Sequence, residues 1–344
     1  MPDITLQGAL DMEVDSLGRA TGASVGGGPV SALRPNRALA TPPALTEAPI
    51  VVVGHPGGFA GNGVEIRGFA FSWGGAAGTT GGVGIVGLRA NNLTIEGNRF
   101  EAGYVTATDL RASNATVRHN AGLGLGANCS FCLTGPGSYT VDGNSLLNGG
   151  LGGAFVLAVI AHAPIAAGAA PAAAIEPYVL PASAHVDATI RNNEFRGHVR
   201  KPVGFGVRVG AVGSGAAGVP QSSTVLVEGN TLTRNTFNII TDAAFPAVGA
   251  TGNISLTLAG NAISVACQTD LFVTFSRQNT VLPPPVTPPP MVRNSSYQLT
   301  LGGDVAWANA WYYHPAGLGN TLTVDGTPIA NAVNVPYDAT RSCP

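Results

Sequence analysis

The sequence predicts an all-β solenoid, a single-stranded parallel β-helix with coils of about 22–24 residues and loop insertions. Three observations predict it: one short strand motif recurs, its copies lie at regular spacing, and charged residues are scarce. Of the 344 residues, 10% are charged and 48 are glycine. Surface helices need Glu, Lys and Arg on their outer face, so this composition disfavours a helical protein. The hydrophobic fraction of 45% provides a core and disfavours disorder.

The recurring motif is an apolar–x–apolar strand, a turn that ends in Asn or Gly, and an apolar residue two places later. Alternation at period two is typical of strands, and Asn and Gly tolerate the left-handed backbone of a sharp turn. Degenerate copies lie at 64–71, 297–303 and 322–329. Six copies place Asn at the same position, where the side chains are predicted to stack as a ladder from coil to coil. These residues are Asn98, Asn120, Asn144, Asn193, Asn230 and Asn261.

The spacing of the copies favours stacked coils. Val117 follows Ile95 by 22 residues, and Val141 follows Val117 by 24. The 49 residues from Val141 to Ile190 fit either two coils or one coil with an insertion. Gly-Asn also marks β-hairpin turns, but an antiparallel meander is a harder way to obtain so regular a period.

A second strand is expected before each motif. These strands are predicted over 83–88, 104–110, 154–160, 205–209, 237–241 and 271–275. In the fourth of them, strict alternation points Phe205 and Val207 inward and Arg208 outward. Ile240 is then expected beside Arg208 in the next coil, with Asp242 one step further along the outer face.

On these copies the chain resembles the right-handed parallel β-helix, or pectate-lyase-like, superfamily. That superfamily includes pectate lyases, polygalacturonases, alginate epimerases and tailspikes. The resemblance is one of fold and covers roughly residues 50–275. It implies a protein of the cell exterior that binds or processes polysaccharide along an outer face.

The most charged segment, residues 185–208, is the predicted site. RGHVRKP at 196–202 would lie in the turn that leads into an outward-facing strand. The resemblance implies that Arg, Lys and His there bind uronate carboxylates, and that one of them abstracts a proton in β-elimination. A solvated basic turn is the simpler alternative. The candidate catalytic residues are His198, Arg200 and Lys201. The candidate substrate-binding residues are Arg196, Arg208, Asp242, Trp307 and Trp311.

Trp307 and Trp311 belong to the main aromatic cluster, DVAWANAWYYHP. Being four residues apart, they are expected to share a face in either a helix or a strand. The cluster would either stack against sugar rings or form an apolar plug that closes the end of the solenoid.

No cofactor is identified from the sequence. Lyases of the superfamily often use Ca²⁺, but no carboxylate cluster marks such a site here, and no metal ligand is predicted. The Asp-Asp and Gly-His-Gly motifs of polygalacturonases and the Asp-Pro-His-Asp motif of alginate epimerases are absent. GVGIVG at 82–87 matches GxGxxG, but a strand follows it instead of a helix, which argues against a dinucleotide site.

Cys129 and Cys132 form a CxxC without a second pair, so a disulfide or two buried thiols is preferred over zinc. Cys267 and Cys343 are isolated in the sequence, and the pairing of the four cysteines stays open.

The domain organisation follows the motif. Residues 1–45 are predicted as an N-terminal cap or loop region, 46–280 as the β-helix, 281–292 as a Pro-rich loop and 293–344 as C-terminal coils or a cap. The Ala/Pro-rich insertion 163–184 offers an apolar surface for oligomerisation.

Charge and hydropathy limit the classes of partner that the chain is expected to have. The net charge of −2 argues against a nucleic-acid partner. The uncharged stretch 143–175 is interrupted by prolines, so no membrane span is predicted. The N-terminus lacks the features of a signal peptide.

Two functions are therefore carried forward. The first is an extracellular or cell-surface protein that binds or processes polysaccharide; as an enzyme it would be a lyase on acidic polysaccharide sooner than a glycoside hydrolase. The alternative is a non-catalytic structural or adhesive module, such as a surface protein or a phage-fibre segment.

Overall fold

The computed structural model is an all-β molecule built around three long, mostly parallel sheets. It describes residues 4–28, 30–33, 49–54, 63–72, 83–101, 106–111, 113–124, 129–149, 152–157, 184–199, 204–211, 220–243, 251–277, 281–282, 291–338 and 340–341.

Within the described residues, the strands follow one another with two short 3₁₀ helices, Val25–Gly27 and Trp307–Asn309, between them. In chain order they are β1 (Ile4–Gln7), β2 (Met12–Val14), β3 (Ala20–Ser24), β4 (Ser31–Leu33), β5 (Pro49–Gly54), β6 (Val64–Arg67), β7 (Phe69–Phe71), β8 (Val83–Leu88), β9 (Leu93–Glu96), β10 (Arg99–Phe100), β11 (Thr106–Arg111), β12 (Asn114–Arg118), β13 (Ala121–Leu123), β14 (Cys129–Thr134), β15 (Gly137–Asp142), β16 (Ser145–Leu147), β17 (Gly152–Leu157), β18 (Ala184–Arg191), β19 (Glu194–Arg196), β20 (Phe205–Gly210), β21 (Pro220–Glu228), β22 (Thr231–Thr233), β23 (Phe237–Asp242), β24 (Thr251–Ala259), β25 (Ala262–Ser264), β26 (Thr269–Thr274), β27 (Ser296–Thr300), β28 (Trp311–His314), β29 (Thr321–Val324), β30 (Thr327–Pro328) and β31 (Ala332–Asn334).

Successive strands of each long sheet come from successive turns of the chain, which we call coils. Sheet I has eleven strands in the order β1-β6-β9-β12-β15-β18-β21-β24-β27-β29-β30. Sheet II has eight, in the order β4-β7-β10-β13-β16-β19-β22-β25. Sheet III has ten, in the order β5-β8-β11-β14-β17-β20-β23-β26-β28-β31. Each typical coil passes through sheet III, sheet I and then sheet II, so the prediction of an all-β, solenoid-like stack of parallel strands is confirmed.

Sheet I contains the first strand of the recurring motif, and its register is the one that the spacing predicts. Val141 pairs directly with Ile190, so the step of 49 positions from one to the other is one coil with an insertion. The central apolar residues stack one above another inside the solenoid and are fully buried. They are Ile66, Ile95, Val117, Val141, Ile190 and Val227.

The predicted asparagine ladder is present at the turn between sheets I and II. Asn98 Nδ2 donates to Asn120 Oδ1 at 3.1 Å, and the same bond continues through Asn144, Asn193, Asn230 and Asn261. The last amide, that of Asn261, donates to Asp304 Oδ2 at 2.6 Å. Each buried amide also donates to a backbone carbonyl, so the ladder satisfies polar groups that would otherwise be costly inside the turn.

Sheet III departs from strict alternation at one place that recurs from coil to coil. Phe205 pairs with Phe237 and Val207 with Ile239, but the residues between them are left out of the pairing. A β-carbon at the skipped Gly206 would meet inward-facing atoms of the neighbouring coil. Phe205 and Arg208, which are three residues apart, therefore face the same side of sheet III. Phe205 packs on the outer face together with Arg208, and the prediction that Phe205 points inward is wrong.

The two ends of the solenoid differ. At the C-terminal end, β30 and β31 pair antiparallel with the strands beside them. At the N-terminal end, β1 and β4 from the region 1–45 already belong to sheets I and II, and the antiparallel hairpin β2–β3 lies between them in the chain. Of the Pro-rich loop, 283–290 lie outside the described residues, as do 163–183 of the apolar insertion.

Candidate functional site

Of the three sequence-predicted catalytic residues, the structure describes His198 alone, and this residue does not lie in an open site. His198 is fully buried between sheets II and III. Burial lowers its pKa to about 4, although a hydrogen bond to the backbone of Leu146 acts in the opposite direction. A buried imidazole cannot reach a polymer in solvent, so His198 is corrected from a catalytic candidate to a core residue. Arg200 and Lys201 lie outside the described residues.

The predicted binding residue Arg196 is separated from Arg208. Arg196 ends β19 in sheet II, where its Nη1 lies 3.5 Å from Glu194 Oε1. Arg208 lies on the outer face of sheet III. The described charged residues of the segment 185–208 are therefore divided among three sheets, with Arg191 in sheet I, Arg196 in sheet II and Arg208 in sheet III.

Arg208 and Asp242 are brought together, as an ion pair. Arg208 Nε donates to Asp242 Oδ1 at 3.0 Å, and Nη2 to Oδ2 at 2.6 Å. The guanidinium also lies 4.6 Å from the centre of the Phe155 ring. Both side chains are buried. Burial lowers the pKa of Arg277, and the charge of Arg208 lowers it further. The charge of Asp242 raises this pKa, but by less than burial lowers it. A pair so enclosed acts on the stability of the fold and is closed to a polymer.

The two candidate tryptophans pack on different faces. Trp311 is buried on the outer face of sheet III, edge-on to Phe237 at 5.8 Å between ring centres. Trp307 stacks on Tyr312 at 5.2 Å against the end of the solenoid core. The prediction of a shared face is wrong because Trp307 begins a 3₁₀ helix that ends before Trp311. Trp307 with Tyr312 matches the apolar-plug alternative.

Cys129 and Cys132 lie on the same outer face of sheet III. Cys129 and Cys132 form a disulfide and pack with Phe205 and Phe237. Cys267 is disulfide-bonded as well. Of the two readings left open for the CxxC, the disulfide is the one present.

An open groove lies elsewhere, between the N-terminal hairpin and the turns that leave sheet I. Its volume is about 510 Å³, and we call it the hairpin groove. Its principal side chains are Gln7, Asp11, Met12, Arg67, Glu96 and His119.

Close backbone contacts hold the hairpin groove in shape. Gly8 N donates to Arg67 O and Leu10 N to Gly68 O, both at 2.8 Å. No β-carbon would fit at Gly8, because Gly68 O occupies that place. Further along, Ala20 N donates to Gly143 O at 2.9 Å, so the hairpin spans several coils.

His119 stands out among the residues that precede the ladder asparagines. Its φ is 52°, a left-handed value that Gly97 and Gly143 supply in the neighbouring coils. Left-handed backbone costs a non-glycine residue about 1 kcal/mol, and such strain recurs at functional sites. The ring lies against Gly143, where a β-carbon would come within 2.6 Å of Cδ2. His119 Nδ1 lies 3.7 Å from Glu96 Oε1.

The chemistry of the groove is that of a polar binding surface. Arg67 Nη2 donates to Gln7 Oε1 at 3.0 Å, and Arg118 Nη2 to Glu96 Oε2 at 2.8 Å. Carboxylate, amide, guanidinium and imidazole groups thus lie beside the apolar Met12. Among the residues that the structure describes, no group of three His, Cys, Asp or Glu could hold a metal ion, and no helix is long and apolar enough to cross a membrane.

Sequence reasoning missed this site because it assigned the region 1–45 to a cap. One signal was present: the copy ATVRHNAG has His where most copies have Gly before the ladder asparagine. Comparisons with family models, with curated proteins and with solved structures found no match for this chain.

Proposed function

We propose that the chain is a right-handed, single-stranded parallel β-helix of the cell exterior that binds polysaccharide in the hairpin groove. The observation that carries the proposal is the groove itself, an open and polar concavity on a solenoid in which the candidates His198, Arg208, Asp242 and Trp311 are buried. Its volume of about 510 Å³ lies within the range of roughly 300–1,000 Å³ that is usual for ligand sites.

The repeat of the coils suits a repeating ligand. Arg67, Glu96 and His119 come from three successive coils. Neighbouring strands are about 4.8 Å apart, so these three side chains span about 10 Å along the solenoid. Hydroxyl groups are both donors and acceptors, and they suit the mixture of carboxylate, guanidinium and imidazole found there.

Proton transfer on a bound polymer would fall to His119. An imidazole nitrogen can accept a proton and return it, and the carboxylate of Glu96, 3.7 Å from Nδ1, would orient the ring. In this proposal His119 replaces the buried His198 as the candidate base.

Binding can be tested by filling the groove. Ala9 is exposed and lines the groove, so Ala9→Trp should lower the affinity for a bound glycan by about tenfold or more, measured by calorimetry after a glycan panel has identified a binder. Ala262→Trp is the matched control, because Ala262 is an exposed alanine in β25 and outside the groove. Equal affinity in the two variants would remove the groove as the binding site.

A structural or adhesive role has one observation in its favour. In β1, Ile4 and Leu6 pair with the inward-facing Val64 and Ile66, yet they are 52% and 42% exposed. Within the described part of the chain, β1 pairs only with β6, so its other edge is open. Apolar side chains on an open edge promote association of strands.

Light scattering tests this second role. A stable oligomer that dissociates in an Ile4→Lys/Leu6→Lys variant would support end-to-end association. A monomer at high protein concentration would contradict it.

A further inference from the structure

We propose that the hairpin groove takes an uncharged glycan and discriminates against uronate polymers. This inference rests on the proposed function of the same groove and adds the charge class of the ligand. It follows from how the charges at the groove are paired.

Arg67 and His119, which line the groove, and Arg118, which precedes His119 in the chain, already face carboxylates. Arg67 Nη1 lies 3.4 Å from Glu65 Oε1, and Arg118 Nη2 lies 2.8 Å from Glu96 Oε2. His119 faces Glu96 as well. A uronate carboxylate would have to compete with Glu65 and Glu96 for these donors.

Asp11 adds another negative charge to the lining. Within the part of the chain that the structure describes, Asp11 forms no ion pair. Glu65 and Arg118 lie outside the lining and pair with Arg67 and Glu96. The lining therefore holds two carboxylates, those of Asp11 and Glu96, beside the guanidinium of Arg67 and the imidazole of His119. A ligand carboxylate brought among them meets like charges at short range, which disfavours binding, whereas a hydroxyl group does not.

The pairing continues along the outer face of sheet I beyond the groove. The residues in register there alternate in sign along the solenoid, so the face has no run of positive charge for an acidic polymer to follow. In coil order they are Arg67, Glu96, Arg118, Asp142, Arg191 and Glu228.

A panel with a matched pair tests the inference. The neutral members are oligomers of β-glucan, xylan, galactan and methyl-esterified homogalacturonan; the acidic members are de-esterified homogalacturonan and alginate. Binding is measured by calorimetry at low and high salt. The expected result is that the binders are uncharged, that the methyl ester binds about tenfold more tightly than its acid form, and that salt has little effect.

The three outcomes are distinguishable. Tighter binding of an acidic member, weakened by salt, would overturn the charge class while leaving the groove as a glycan site. No binding by any member would overturn the proposed function and the inference with it. Uncharged binders alone would support both.

A single substitution provides the second arm. Glu96→Gln removes the carboxylate that Arg118 and His119 share, so it should raise the affinity for the de-esterified oligomer by about tenfold relative to its methyl ester. Glu228→Gln is the matched control, because Glu228 occupies the same outward row outside the groove. An unchanged acid-to-ester ratio in Glu96→Gln, with an unchanged melting temperature, would contradict the inference.

Discussion

The outer faces of sheets I and III are built from the same coils, yet they differ in their exposure to solvent. On sheet I the outward row alternates in charge and is largely open to solvent, as at Arg118 and Arg191. On sheet III the outward row runs from Cys132 through Arg208 to Trp311 and is largely buried. An outward-facing position in a solenoid is therefore not the same as an exposed one, because insertions and termini can cover a face.

The largest expected effect on stability concerns the buried ion pair on the outer face of sheet III. Asp242→Ala leaves the buried Arg208 charge without its carboxylate and should lower the free energy of unfolding by about 3–5 kcal/mol, measured by urea denaturation. The double variant Arg208→Met/Asp242→Leu should recover most of this loss, since it removes both charges. A small effect of Asp242→Ala would show that water reaches this face.

A smaller effect concerns His198, which lies inside the solenoid and belongs to neither outer face. Its pKa is lowered from 6.5 to about 4 by burial, so the folded state favours the neutral ring. The unfolded chain then binds more protons between these pH values, and stability is full above about pH 6.5 and falls as the pH drops toward 4. The loss should reach about 3 kcal/mol at pH 4.

The measurement is urea denaturation at pH 7 and pH 4.5 in the wild type and in His198→Phe. The variant should lose this part of the pH dependence, whereas a His185→Gln control, at an exposed histidine of β18, should keep it. Equal slopes in all three proteins would mean that His198 is solvated.

The smallest effect is expected on the exposed face. Arg191 Nη2 lies 2.9 Å from Asp142 Oδ2, but the Arg191 side chain is 47% exposed. Water and salt screen such a pair, so Arg191→Ala should change the free energy of unfolding by less than about 1 kcal/mol. A loss as large as that of Asp242→Ala would erase the distinction between the faces.

The repeating part of this fold could be predicted from the sequence because its signals are local. The alternation around Ile95 and Val117 and the ladder from Asn98 to Asn261 need only the motif and its spacing. The neighbours Arg208 and Ile240 were also predicted in adjacent coils, and they pair as expected.

What escaped prediction depends on contacts between distant parts of the chain. Phe205 faces outward because one residue in β20, Gly206, and one in β23, Asn238, drop out of the pairing between these strands. Trp311 is covered in part by Tyr337, and Gln268 Nε2 donates to Asp338 O at 2.7 Å across 70 positions. The hairpin groove likewise joins Asp11 to His119. No short motif specifies such contacts.

The asparagine ladder has a consequence for the length of the molecule. Every ladder amide donates to the side-chain oxygen in the next coil, and the carboxylate of Asp304 accepts the last of these bonds. Each rung is chemically interchangeable with the next, so a whole unit such as the 22 residues ending at Asn120 could be duplicated without rewriting either end. Each added unit would lengthen the molecule by about 4.8 Å, so the number of coils sets its length in equal steps.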